Sequence, residues 1–476
     1  MPTFFGQPQV LANLFGVELW ERFSFYGMQG ILLIYLYYEG SRGGLGIDEA
    51  TATSIVGAYG GFVYLSTIGG AWLADRVAGA ERVLFGSAVL VMAGHVFLAA
   101  VPGLPGVGLG LVCVALGSGG VKANATSLVG SLYAAGDPRR DAGFSLFYLG
   151  VNVGALAGPL LTGLAQTGLG FHYGFGLAAA GMAIGLTQYT LGRKRLPDSA
   201  NDVPHPLPPA RIPLVAGLVA AAVALVAVLA ATGVLAARRL ATIVVVLSAV
   251  AAVTYFVVIL AGRSLERTER DRVLAFIPLF IASAGFWSLY QQQFTVLTVY
   301  ADQRLDRDLF GWTMPVSWVQ SINPVFIIVL SGVFAALWTR LGERQPSTPV
   351  KFAAGTVIMG VAFLLFLPMA GTGPGGAPLL GLIGVIFVLS VAELLLSPVG
   401  LSLSTKLAPA AFHTQMVALF FLSVALGTAA AGALATNYSP AREVPYFAVL
   451  GGAAIVLGAV IAALTPWIRA RMHGVR

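Results

Sequence analysis

Two acids and a base share one turn of an oily segment: Glu18, Glu21 and Arg22 are the charged residues of an apolar run from about Val10 to Tyr38. At about 1.5 Å of rise per residue, a helix of that length crosses a bilayer with some tilt. A charge at bilayer depth costs about 2.5–3.5 kcal/mol on insertion scales, so three of them must face a protein interior or a watery cavity. Separations of three and four put them on adjoining positions of one helical face, with Phe25 and Tyr26 a turn further on. Two more ionisable groups lie deep in apolar runs: Lys122, after Gly119-Gly120-Val121, and Glu393, between Ser390 and Ser397-Pro398. Three carboxylates against two bases leave one acid in excess, and a buried acid without a counter-charge favours its protonated form. Such a set is neutral only when it carries a proton. That points to proton uptake and release, coupled to a ligand that adds no net charge. The plainer alternative is an ion network on the first helix and a structural Lys122–Glu393 bridge; five such residues in one bundle weigh toward function.

Neutral groups surround this set. Asn152 and Asn323 fall one in each half of the chain, and each alone is more often a helix-packing asparagine than a ligand contact. Tyr64, Trp287 and Trp318 suit pocket walls or a core equally well. Pro324 and Pro398 are expected to kink their spans, because proline removes a backbone donor and leaves a carbonyl one turn earlier unpaired. His95 is expected to be a packed or interfacial histidine.

The elements that must position these groups are membrane helices. Hydrophobic residues make up 57% of the chain, charged residues 10%, and the mean hydropathy is +0.85, which describes an integral membrane protein. About fourteen apolar runs follow one another, among them 10–38, 50–74, 212–236, 240–262, 273–301, 311–339, 377–405 and 444–468. If the N-terminus is cytoplasmic, nineteen of the 27 Lys and Arg residues fall in loops on the cytoplasmic side and six, including Arg304, on the other. Arg22 and Lys122 stay in the membrane. This asymmetry places both termini in the cytoplasm and makes the net charge of +7 a matter of lipid orientation, with no need for nucleic acid. The first residues, Met1 to Gly6, lack a basic start and a small-residue cleavage pattern, so no removable signal peptide is expected. Cys113 is the single cysteine and implies no compartment.

A proline-rich stretch, residues 193–211, separates an N-terminal six-helix bundle, 1–192, from two Ala/Val/Leu-rich helices at 212–262 and a C-terminal six-helix bundle at 263–476. The inserted pair offers no buried ionisable group and is expected to face lipid. Short basic turns at 74–82 and 339–344 occupy matching places in the two halves, as two parallel repeats of the major facilitator type would have them. The glycine clusters carry no Walker pattern, so ATP is not expected to drive the process, and no cofactor is implied. The five histidines lack metal-ligand spacing and Cys113 has no histidine beside it, which argues against a metal site and against a membrane enzyme. A passive channel fits less well than a carrier, given the glycines, prolines and pseudo-repeat.

The string Glu18-Leu-Trp-Glu21-Arg22-Phe23-Ser-Phe25-Tyr26-Gly27 closely resembles the first-helix motif ExxERFxYYG of the proton-dependent oligopeptide transporters, bacterial members of the major facilitator superfamily. Further strings resemble the same family: Phe144 to Gly154, Phe286-Trp287 with Gln292, Gln320-Ser-Ile-Asn323-Pro324, and Glu393 to Pro409. The resemblance implies an all-α membrane protein of two six-helix bundles plus two added helices, and a proton-coupled symporter that imports di- and tripeptides by alternating access. It implies that Arg22 and Lys122, with Tyr26, attract the peptide carboxylate, while Glu393, Asn323 and Asn152 hold its ammonium between the two bundles. Tyr64, Trp287 and Ser397 would line side-chain pockets; Glu18, Glu21, Arg22, Lys122 and Glu393 would couple protons. It further implies a bacterial inner-membrane protein, acting as a monomer, whose partners are peptides, protons and lipid. With about 3.3–3.6 Å per extended residue, only two or three residues fit between such anchors. Three departures matter: Phe25 replaces the motif's first tyrosine, Gln291 stands where many bacterial relatives have an acid, and Gly57 stands where mammalian relatives have a histidine. A carrier for nitrate, amino acids or drugs is the alternative within the fold.

Overall fold

The apolar runs of the sequence become long helices because a chain in lipid must satisfy every backbone group internally. The computed structural model describes residues 3–134, 137, 139–262 and 265–475. Met1, Pro2, Arg263 and Arg476, which entered through the N-terminal segment and the loop charges, lie outside the described residues. The first six helices are α1 (Val10–Tyr37), α2 (Glu49–Leu73), α3 (Ala80–Ala100), α4 (Gly103–Ser131), α5 (Arg140–Leu169) and α6 (Phe171–Gly192). Next come α7 (Ile212–Ala231) and α8 (Leu240–Leu260). The remainder are α9 (Arg267–Tyr290), α10 (Val296–Gln303), α11 (Ile322–Leu341), α12 (Thr348–Leu364), α13 (Leu379–Lys406), α14 (His413–Ala435) and α15 (Glu443–Arg471). Among the described residues, eleven helical stretches are long and apolar enough to cross a membrane.

By backbone proximity the chain forms two compact units, residues 3–55 with 65–243, and residues 56–64 with 244–475. In the first, α1 packs on α5 and α6, and α3 packs on α4 and α6. In the second, α9 packs on α14 and α15, and α12 packs on α13 and α15. First helix on fifth and sixth, third on fourth and sixth: the two units repeat one pairing scheme, as the matching turns suggested. The middle of α2, Val56–Tyr64, belongs with the second unit, where a Cβ on Gly57 would collide with Gly432 of α14. Helix α7 buries none of its residues, in keeping with an apolar segment that faces lipid.

Two sequence-based spans and one expected kink need correction. The expected span 273–301 is broken: α9 ends at Tyr290, a 3-10 turn covers Gln291–Phe294, and Thr295 leaves helical geometry at φ −124°, ψ −90° before α10 begins. Two of the three consecutive glutamines bond to other helices: Gln291 donates to the Tyr64 hydroxyl, and Gln292 accepts from the Tyr446 hydroxyl while donating to the Ser288 carbonyl. The expected run 311–339 starts with a hairpin strand, Trp312–Thr313, and a 3-10 turn, Val316–Ser321. Pro324 therefore sits in the first turn of α11, where a missing N–H breaks nothing, and it kinks no span. Pro398 does lie inside α13. The 193–211 stretch is tied down within the first unit: the His205 N–H donates to the Asp75 carbonyl at 3.0 Å and the Leu207 N–H to that of Arg76 at 2.8 Å.

Candidate functional site

In the first unit, α1 presents its charges to α4 and α5. Arg22 Nε lies 2.8 Å from Glu18 Oε1 and 3.1 Å from Glu21 Oε2, and the three residues are 2%, 3% and 0% exposed. One guanidinium therefore serves two carboxylates in a place water does not reach. Ser118 of α4 donates to Glu21 Oε1 at 2.6 Å, a length typical of a hydroxyl on a charged acceptor. Lys122, one turn further along α4, is within electrostatic reach of Glu21, and Tyr26 within reach of Arg22. Close approach of α5 makes the cluster dry: a Cβ on Gly154 would meet the Arg22 Cβ at 2.9 Å. Among the described residues, Glu18 Oε2 and Arg22 Nη2 are buried without hydrogen-bond partners. That leaves a donor on the guanidinium for an incoming anion. The unit thus contains an ion network on α1 that is one proton short of neutrality unless Lys122 is counted with it.

Asn152 on α5 donates to its own helix, to the Tyr148 carbonyl at 2.9 Å, so its side-chain oxygen is the end left for a ligand.

In the second unit, Glu393 of α13 is held by neutral groups. Tyr290 Oη donates to Glu393 Oε2 at 2.7 Å and approaches Asn323 Oδ1 at 3.2 Å. The Asn323 amide donates to Glu393 Oε2 at 3.2 Å and to Ser390 Oγ at 2.9 Å. Ser397, four residues after Glu393 on α13, is half-buried. Trp287 stacks edge-on against Tyr290 with ring centres 5.2 Å apart, and its indole N–H has no hydrogen-bond partner among the described residues. Gln291 donates to the Tyr64 hydroxyl at 3.5 Å. Lys122 and Glu393 fall in different units.

The charged positions were legible because a charge in an apolar run stands out. Ser118, Tyr290 and Ser390 were missed. Each has a faint signal in spacing: Ser118 lies four before Lys122, Tyr290 three after Trp287, Ser390 three before Glu393. Arg304 was assigned to a loop; it is 6% exposed and pairs with Glu443, Nε to Oε1 at 2.7 Å and Nη2 to Oε2 at 3.1 Å, a two-pronged match that desolvated acids favour. Tyr438 also donates to Glu443, at 3.1 Å.

Comparison with known proteins gives a consistent set of matches. The profile of the POT family matches residues 81–450. The uncharacterized transporter YclF of Bacillus subtilis (strain 168) is 42% identical over 476 residues, covering 99% of this chain and 96% of that protein. The di-/tripeptide transporter of Lactococcus lactis subsp. cremoris is 39% identical over 488 residues, covering 100% of this chain and 98% of that one. A crystal structure of the peptide transporter POT in complex with sulfate superposes with a TM-score of 0.95 at 44% identity, covering 99% of this chain and 97% of that one.

Proposed function

The chain belongs to the POT family, and we propose that it is a proton-coupled symporter that imports di- and tripeptides by alternating access. The observation that carries this reading is the pair of buried carboxylates, Glu18 and Glu21, sharing the Arg22 guanidinium at 2.8 and 3.1 Å. While both acids are ionised, Arg22 is engaged. A proton on Glu21 or Glu18 weakens that hold, and the guanidinium can then grip a peptide carboxylate together with Lys122 and the Tyr26 hydroxyl. Proton and peptide carboxylate become linked ligands of one arginine. The ammonium end suits the acid Glu393, with Asn323 beside it and the oxygen of Asn152. Tyr64, Trp287 and Ser397 line side-chain pockets in this reading, and Glu393 and Lys122 take part in proton coupling.

A zwitterionic peptide adds no net charge, so the proton carries the charge that the membrane potential acts on. A potential of 100 mV contributes about 2.3 kcal/mol per charge moved, enough to concentrate peptide when a pH gradient acts with it. The loop charges support cytoplasmic termini, and the bacterial relatives support an inner-membrane location. We take the working unit to be a monomer and the protein to be a carrier with no enzymatic activity.

Glu21→Gln tests the proton site in proteoliposomes. The variant is expected to lose proton-driven accumulation of peptide while retaining counterflow of pre-loaded peptide; accumulation at the wild-type level would remove Glu21 from the role. Free alanine, too short to reach both sets of anchors, is expected to compete poorly with dialanine.

A further inference from the structure

Beside the acid of the second unit lies a cavity of about 10 Å³, lined by Tyr290, Gln293, Leu297, Gln320, Asn323 and Leu389 among others. That is room for one water molecule. Gln320 is 6% exposed, and its Oε1 has no hydrogen-bond partner among the described residues. The way round of this amide is fixed by its neighbour. Thr298 Oγ1 spends its only hydrogen on the Gln293 carbonyl at 3.0 Å, so toward Gln320 at 3.2 Å it can only accept, and the nitrogen must face it. The oxygen of Gln320 is left as a buried acceptor in need of a donor.

A second acceptor is in the same position. Tyr290 has one hydroxyl hydrogen and two candidate acceptors, Glu393 Oε2 at 2.7 Å and Asn323 Oδ1 at 3.2 Å. The shorter contact to the acid takes it, because a hydrogen bond to an ionised acceptor is roughly twice as strong as one between neutral groups. Asn323 Oδ1 then lacks a donor. Gln320 and Asn323 both line the cavity, and the two acceptors that these residues carry match the two hydrogens of a single water.

We infer that this cavity is a binding site for one water, donating to Gln320 Oε1 and Asn323 Oδ1, and that Gln320 is a positioning residue for the Glu393 site. By fixing the oxygen end of Asn323, the water holds the nitrogen end on Ser390 and Glu393 at 2.9 and 3.2 Å. Its removal frees the asparagine to turn, and the acid loses a donor that orients it. The link to peptide affinity rests on the proposed function; the site itself does not.

The direct test is an experimental structure of the intact chain, in ammonium-free buffer, at a resolution that shows ordered water. Density within hydrogen-bond distance of both oxygens is expected. An empty cavity, or density that appears only when ammonium salts are added, overturns the water site. Gln320→Leu removes the acceptor with little change of size and is expected to raise the KM for dialanine about fivefold with kcat unchanged, the size of one water-mediated contact. Leu389→Phe, which fills the cavity without touching a polar group, is expected to do the same and serves if Gln320→Leu does not fold. A fall in kcat at unchanged KM in either folded variant overturns the positioning role. If the wild type takes up no peptide, the transport reading has failed, and the density alone decides the site.

Discussion

Tyr290 gives its one hydroxyl hydrogen to an acid that is otherwise held by Asn323, so the charge of Glu393 depends on very few groups for its orientation. Removing that hydroxyl in Tyr290→Phe leaves the ring stacked on Trp287 and deletes a bond to a charged group, worth about 1.5–3 kcal/mol in general. We expect at least a tenfold rise in the KM for dialanine, read from uptake kinetics, with the protein still folded. At this scale the sequence exposes what is rare and hides what is common. Glu18, Glu21, Arg22, Lys122 and Glu393 stand out because charges seldom occur in apolar runs. Ser118 and Tyr290 do not, because hydroxyl residues are ordinary on membrane helices, and only the geometry shows that the first aims at the buried Glu21 and the second at the half-buried Glu393. At Gln291 a neutral amide bonds Tyr64, a contact that nothing in an apolar profile marks.

Helix ends and crossings set where those residues stand. Asp48 caps α2, accepting from the Thr51 N–H at 3.0 Å. Hydrogen bonds from the Thr51 hydroxyl and N–H hold its carboxyl below the usual carboxylate range. A carboxyl lowered in the folded state contributes stability that is present above its unfolded value, about 3.9, and is lost as the pH falls through the folded value. Asp48→Ala is therefore expected to lower the melting temperature in detergent at neutral pH, by the loss of about 1 kcal/mol, and to converge with the wild type in strong acid. A different element prediction concerns α2 and α14. Gly57 is where their backbones meet, so Gly57→Val is expected to force them apart at a cost of about 1–3 kcal/mol, visible as a lowered melting temperature. The long apolar helices were legible from hydropathy, since lipid leaves the backbone few options. The break at Gln291–Thr295 and the position of Pro324 were not, because apolar content resumes on both sides of each, and side-chain bonds such as Gln292 to Tyr446 leave no mark in the sequence.

At the scale of the whole molecule, composition and loop charge were enough to name a multi-pass membrane protein, and matching basic turns hinted at an internal repeat. The repeat is real in the pairing of helices: first with fifth and sixth, third with fourth and sixth, in each unit. What sequence could not supply is the allegiance of α2, whose middle belongs with the second unit, because glycine contacts leave no mark in a hydropathy profile. The chemistry also divides by unit. The first carries two acids on one arginine with a nearby lysine, and the second an acid held by neutral donors. The most direct measurement is uptake of labelled dialanine into proteoliposomes holding the purified chain, with and without an inward proton gradient. Accumulation above the external concentration only when the gradient is present is the result expected; uptake that never exceeds equilibration, or is the same with and without the gradient, would contradict proton-coupled transport.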